Sequence, residues 1–234
     1  MLLIGRFFGR RFLAPLHHQI ENQTSEPAGE PLLQARNLEL WRGEKHLFRN
    51  LDIDLHAGEL LHITGPNGCG KTSLLRVLCG LTLPETGTVS WRGKQVMRNR
   101  ADYHSEMAYV GHRESLKADL SALENLAFDL GLRRPAGRAV VRAALEEVGL
   151  KVAADVPSRG LSAGQRRRVS IARCLASQAK LWVLDEPYTN LDVAGREFVD
   201  DMMTRHLERE GLVLLVAHQS HGVAGPVVRQ MELT

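Results

Sequence analysis

The nine residues GPNGCGKTS at Gly65–Ser73 constrain this chain more than any other stretch. They follow a short apolar run, ELLHIT, and precede LLRVLCG, where Leu74, Leu75 and Leu78 recur at helical spacing until Gly80 and Pro84 stop it. The stretch fits G-x-x-x-x-G-K-[ST], a turn whose successive backbone N–H groups, with the helix N-terminus behind them, surround an anion. The bland alternative is a strand-to-helix turn that happens to hold a lysine. The flanking strand and helix favour a nucleoside triphosphate held by Gly65, Pro66, Asn67, Gly68, Cys69, Gly70, Lys71, Thr72 and Ser73. In such a loop the lysine reaches the β- and γ-phosphates and the Thr72 hydroxyl coordinates Mg²⁺.

Charge and length narrow the class further. The net charge of +3 comes from the first 20 residues, which hold Arg6, Arg10 and Arg11 and no acid, leaving 27 basic and 27 acidic residues in the remainder. A body so balanced is a poor match for a nucleic-acid binder. The three cysteines, Cys69, Cys79 and Cys174, show no metal or disulfide spacing, which points to a reducing compartment. No run approaches the roughly 18–20 apolar residues that span a bilayer, so any membrane role is expected to need a partner. Residues 1–31 differ from the rest, an Arg-punctuated apolar stretch running into a segment rich in Glu, Pro and Ser. The arginines argue against a secretory signal. A disordered tail or a start codon set too early is preferred to an amphipathic membrane-surface segment or an organellar leader.

From Leu32 to Leu61 the pattern is of short strands with turn material at RGEK and HAGE. Helical spacing dominates from about Arg98 to Arg159, and another helix follows LSAGQ. The strand LWVLDEP, a helix near Ala194–Glu210 and the strand LVLLVAH complete a β-α-β rhythm, which implies a parallel sheet with helices around it.

Strand 181–184 runs into Asp185 and Glu186, where one carboxylate can reach a metal shell and its neighbour can orient water. Ser162 and Gly164 precede a helix whose free N–H groups form a second anion site, in a stretch without acids from Val156 to Leu184. A capped basic helix with a solvated arginine face is the competing reading of that stretch.

Taken together and in order, GPNGCGKTS, LSAGQ, LWVLDEP, TNLD and LLVAHQ resemble the ATP-binding cassette ATPases, over about 200 residues from Leu32 to the C-terminus. The resemblance implies an α/β fold: a RecA-like P-loop NTPase core with a mainly parallel sheet, an antiparallel β-lobe, and a helical lobe near residues 101–175. It also implies a head-to-tail homodimer that places each ATP between one subunit's Gly65 loop and the other's Ser162, Gly164 and Gln165. By position, Glu186 is the general base or water-orienting carboxylate, and Asp185 holds Mg²⁺ through its shell. His218 touches the γ-phosphate, Asp192 links the two sites, and Trp41 stacks on adenine. Two plainer readings stand beside these: a hydrogen-bonding turn histidine and a half-buried strand tryptophan. Where the family usually has a glutamine contacting Mg²⁺, this chain offers His112 or Arg113. Direct metal contact there is not expected, because Mg²⁺ prefers oxygen ligands.

Within the family, the local wording is most similar to the ATP-binding subunits of the bacterial cytochrome c maturation system. That likeness implies a peripheral ATPase on the cytoplasmic side of the inner membrane, working with integral membrane subunits in haem export or in release of a haem-loaded chaperone. Haem itself is not expected to bind this chain. The alternatives are an ATPase driving export of another small molecule and a non-transport cassette protein acting on ribosomes or DNA. One last expectation is local. Cys69, beside Lys71 and a helix N-terminus, should be a reactive thiol protected by Mg-ATP, unless its side chain turns away into the packing.

Overall fold

The structure is a computed structural model that describes residues 20–23, 29–131, 137–223 and 227–234. The strands are β1 (Ile20–Gln23), β2 (Leu33–Arg42), β3 (Lys45–Leu55), β4 (Glu59–Thr64), β5 (Thr86–Trp91), β6 (Lys94–Gln95), β7 (Met107–Val110), β8 (Leu181–Asp185), β9 (Leu212–Val216) and β10 (Val227–Glu232). The helices are α1 (Lys71–Leu78), α2 (Arg100–Ser105), α3 (Ala122–Gly131), α4 (Arg138–Glu147), α5 (Ala163–Ser177) and α6 (Val193–Glu208).

Six strands form the main sheet in the order β1-β10-β4-β9-β8-β7, and four form an antiparallel sheet in the order β3-β2-β5-β6. In the main sheet every pairing from β10 to β7 is parallel, and only β1 runs antiparallel at the edge. β8 and β9 are buried at every residue, as a strand covered on both faces must be. The side chains of β4, β8 and β9 alternate between two cores. Leu60, Trp182, Leu184, Val213 and Leu215 pack towards α3, α4 and α5. Leu61, Ile63, Leu181, Val183, Leu212 and Leu214 pack towards α1 and the antiparallel sheet.

Parallel register also delivers the functional loops to one place. Ile63 pairs with Val216, and Asp185 pairs with Val216 from the other side. The carboxyl ends of β4, β8 and β9 therefore release the Gly65 loop, the Glu186 turn and the His218 loop at the same sheet edge, where open α/β sheets bind ligands.

Two boundaries differ from the sequence-based expectation. Residues 100–110 form α2 and β7, and β7 joins the main sheet, so the bundle of helices begins after β7 and comprises α3, α4 and α5. In the N-terminal stretch, residues 20–23 are an edge strand on β10; the remainder of the expected tail, 1–19 and 24–28, lies outside the described residues. β10 is itself anchored by an ion pair between Arg229 and the fully buried Glu59.

Candidate nucleotide site

Gly65 opens the loop with φ 138°, and a Cβ there would stand 2.2 Å from the Leu233 carbonyl oxygen, so only glycine fits. At the other end Gly70 is the N-cap of α1, in a left-handed conformation and without a side-chain cap, and the first turn of α1 holds no acid. The helix N-terminus is thus left open to an anion. Lys71 is buried, and its Nζ donates to the carbonyl oxygens of Gly65 at 2.7 Å and Pro66 at 3.0 Å. The ammonium is held at the loop by acceptors that a phosphate oxygen can replace.

Around the loop lies a cavity of about 600 Å³, within the range of small-molecule sites. Asn67, Gly68, Gly70, Lys71, Thr72 and Ser73 line it from the loop, and Asp185, Glu186 and His218 from the sheet edge. Thr72 Oγ1 donates to Asp185 Oδ2 at 3.0 Å. Burial pushes the Asp185 carboxyl above its ordinary range, while the Thr72 bond and the nearby His112 pull it back. Beside it, the Glu186 Oε1 atom is buried and has no hydrogen-bond partner. His218 Nε2 lies 3.4 Å from it. A desolvated carboxylate next to a hydroxyl, with a second carboxylate oxygen unsatisfied, fits an arrangement completed by a hard cation and water. Among the described residues no three His, Cys, Asp or Glu side chains could hold a metal together, so Mg²⁺ here would take the remainder of its oxygen ligands from water and phosphate.

Glu186 has φ 54°, in the left-handed region, and its N–H donates to the Val216 carbonyl at 2.8 Å. Arg167 holds this turn from behind. Fully buried, it donates to the carbonyl oxygens of Asp185, Glu186 and Pro187, and to that of Gly111. Sequence reasoning missed it because Arg166, Arg167 and Arg168 look like one solvated basic face. The ~100° turn per helical residue separates the three, and the middle one points inward. Arg42, Lys45 and Thr189 also line the cavity, and Lys45 Nζ donates to the Gly68 carbonyl at 2.8 Å. The RGEK turn signalled a hairpin but not that its cations reach the phosphate loop.

Several expected site residues lie elsewhere. Ser162 is exposed and caps α5: its Oγ accepts from the Gln165 N–H at 3.1 Å, and Gln165 Oε1 accepts from the Ser162 N–H at 2.8 Å. Neither these two nor Gly164 lines the cavity; a Cβ on Gly164 would meet the Asn190 carbonyl oxygen at 2.8 Å. Asp192 caps α6 through the Gly195 N–H at 2.9 Å and pairs with Arg168 at 3.1 Å. Of the two candidates at the helical-lobe entrance, His112 lines the cavity and Arg113 does not. Trp41 stays outside it, half-exposed and stacked on His46 at 4.4 Å between ring centroids. The packed alternative describes Cys69, which is buried in the core beneath the loop and does not line the cavity; Gly65 and Pro66 do not line it either and present their carbonyls to Lys71.

The chain is similar to known proteins in sequence and in fold. The family model described as ABC transporter matches residues 48–189. The cytochrome c biogenesis ATP-binding export protein CcmA of Methylococcus capsulatus is 47% identical over 194 residues, covering 82% of this chain and 94% of its own. Proteins of the same name from Nitrosomonas europaea and Escherichia coli K12 are 42% and 43% identical, over 90% and 87% of this chain and 100% and 97% of theirs. Among solved structures, the dimeric post-hydrolysis ATP-binding cassette MJ0796 bound to ADP and Pi superposes with a TM-score of 0.73 at 25% identity, over 80% of this chain and 88% of that one. A bacterial Atm1-family ABC exporter with ATP bound gives 0.72 at 22% identity, over 83% of this chain and 36% of that one, a likeness of fold. With its phosphate loop, paired carboxylates and strand-end histidine on one sheet edge, the chain belongs to the ABC transporter family of ATPases, among relatives of the cytochrome c biogenesis ATP-binding export proteins.

Proposed function

We propose that the chain is the ATP-hydrolysing subunit of a membrane complex for cytochrome c biogenesis, and that hydrolysis drives haem export or releases a haem-loaded chaperone. The observation that carries this is the convergence of Lys71, Thr72, Asp185, Glu186 and His218 on one cavity, in a chain 47% identical to a cytochrome c biogenesis export ATPase. The loop N–H groups and Lys71 hold the phosphates, the lysine exchanging two carbonyl acceptors for phosphate oxygens. Thr72 and Asp185 would hold Mg²⁺, which when bound neutralises phosphate charge. Glu186 accepts the proton of the attacking water through its unsatisfied oxygen, and His218 contacts the γ-phosphate.

A second copy of the chain, head to tail, brings its Ser162–Gln165 turn over the nucleotide; the dimeric state of the ADP-bound cassette MJ0796 supports this arrangement. Among the described residues no helix is long and apolar enough to cross a membrane. In the proposed complex the chain engages integral membrane subunits peripherally, at the cytoplasmic face of the inner membrane. Haem is handled by those partners. The balanced charge beyond residue 20 makes the body a poor electrostatic match for a general nucleic-acid binder.

In a bacterium lacking this chain, covalent haem on c-type cytochromes should disappear. It should return with the wild-type chain, co-purifying with membrane proteins, and not with Glu186→Gln. Normal holocytochrome levels without the chain would assign the ATPase another cargo.

A further inference from the structure

Glu186 and His218 sit on different loops, released by β8 and β9, and their side chains face each other at 3.4 Å. Behind the cavity a second link joins the same two loops. Tyr188, two residues beyond Glu186, donates its Oη–H to Asp200 Oδ1 at 2.5 Å. The Gly222 N–H, four residues beyond His218, donates to Asp200 Oδ2 at 2.8 Å. Each oxygen of one carboxylate thus serves one loop, and Asp200 itself stands on α6, outside the cavity lining.

The parts fit this purpose closely. Tyr188 is buried, so its hydroxyl has little water to turn to in place of Asp200. A Cβ on Gly222 would lie 3.1 Å from Asp200 Oδ2, tighter than ordinary contact, so glycine permits the approach. Because α6 packs on β9, the carboxylate is fixed to the sheet that releases both loops.

We infer that Asp200 is a positioning residue that sets the separation of Glu186 and His218 by tying Tyr188 to Gly222. This rests on the catalytic roles proposed above for Glu186 and His218. Without the tie, the His218 loop loses its register against the Glu186 turn. The Gly65–Ser73 loop, which would hold the phosphates of ADP, takes no part in this tie.

The test is steady-state ATP turnover and ADP affinity of the full chain in four variants. Asp200→Ala should lower kcat at least about tenfold and leave the ADP Kd within about twofold, since ADP lacks the γ-phosphate that His218 would contact. Asp200→Asn should keep at least about half of kcat, because the amide oxygen accepts from Gly222 while its nitrogen donates to Tyr188 Oη. Gly222→Ala keeps Asp200 but crowds it, and should lower kcat with ADP affinity unchanged; it decides the question if Asp200→Ala does not fold. Wild-type turnover in Asp200→Ala or in Gly222→Ala, equal losses in the Ala and Asn variants, or a parallel loss of ADP affinity would overturn the inference. His218→Ala separates the two levels. If it is inactive beside an unimpaired Asp200→Ala, only this inference falls. If it is fully active, the site reading falls and takes the inference with it.

Discussion

The Gly65–Ser73 loop and the Ser162–Gln165 turn are both helix N-termini suited to an anion, and they are built in opposite ways. α1 begins with an uncapped left-handed glycine, keeps its N–H groups open, and is met by carboxylates and a histidine from the sheet edge. α5 begins with a reciprocal cap that consumes the Ser162 and Gln165 N–H groups, and its turn lines no part of that cavity. The first region is a site open on one side. The second is a rigid, exposed surface with no reacting group of its own, whose packing against the Asn190 carbonyl ties it to the segment following Glu186. On the head-to-tail pairing proposed above, these would be the two halves of one site, each completed by the other half from a second copy of the chain.

The comparison breaks most readily at Lys71. Lys71→Ala removes the only side-chain cation seated on the Gly65 and Pro66 carbonyls among the described residues. Turnover should fall at least about 100-fold, and nucleotide affinity, read by fluorescent nucleotide titration, should fall with it. Retained affinity would mean that the loop is not the phosphate-holding half. Ser162→Ala tests the other half and should separate what Lys71→Ala joins. Loss of the cap costs about 1 kcal/mol of stability, and turnover should drop about tenfold at unchanged nucleotide affinity. If affinity falls in proportion, the two regions act on the same bound nucleotide within one chain.

A smaller effect, remote from both halves, serves as the control. His206 stacks on Trp182 at 3.7 Å, and burial pushes its imidazole down from 6.5 to about 4. The folded state thus prefers the neutral ring. Its contribution is complete above the unfolded value and is lost as pH falls from 6.5 towards about 4, by up to about 3 kcal/mol. His206→Phe, which keeps a ring on Trp182, should make that acid loss shallower in urea unfolding at pH 7 and pH 4.5. Nucleotide affinity at pH 7 should not change. A variant as acid-sensitive as the wild type would assign the loss to other groups.

Much of this architecture is legible locally. β4, β8 and β9 appear as short apolar runs, the loop as a glycine pattern, and Asp185 and Glu186 as carboxylates at a strand end, because parallel strands buried on both faces leave a continuous apolar signature. What escapes the sequence depends on distant packing. β10 reads VVRQME, too mixed for a buried strand, and gains its place through Arg229 on Glu59 and through β1. Cys69 has the local surroundings of an activated thiol, yet it is packed into the core beneath the loop. Arg167 differs from its neighbours only in direction, and nothing in a run of three arginines marks which one meets four carbonyls.

The composite site stands or falls on one measurement: the mass in solution of Glu186→Gln with and without ATP, by sedimentation. The amide keeps the shape of the side chain but cannot accept the water's proton, so a nucleotide-closed pair of chains is no longer dissolved by hydrolysis. Half-sites completed by a second copy predict a single chain without nucleotide and a stable dimer with ATP, and adding Ser162→Arg should abolish the dimer while bound ATP remains. A Glu186→Gln chain that binds ATP and stays a monomer, or a dimer indifferent to Ser162→Arg, would contradict the shared site.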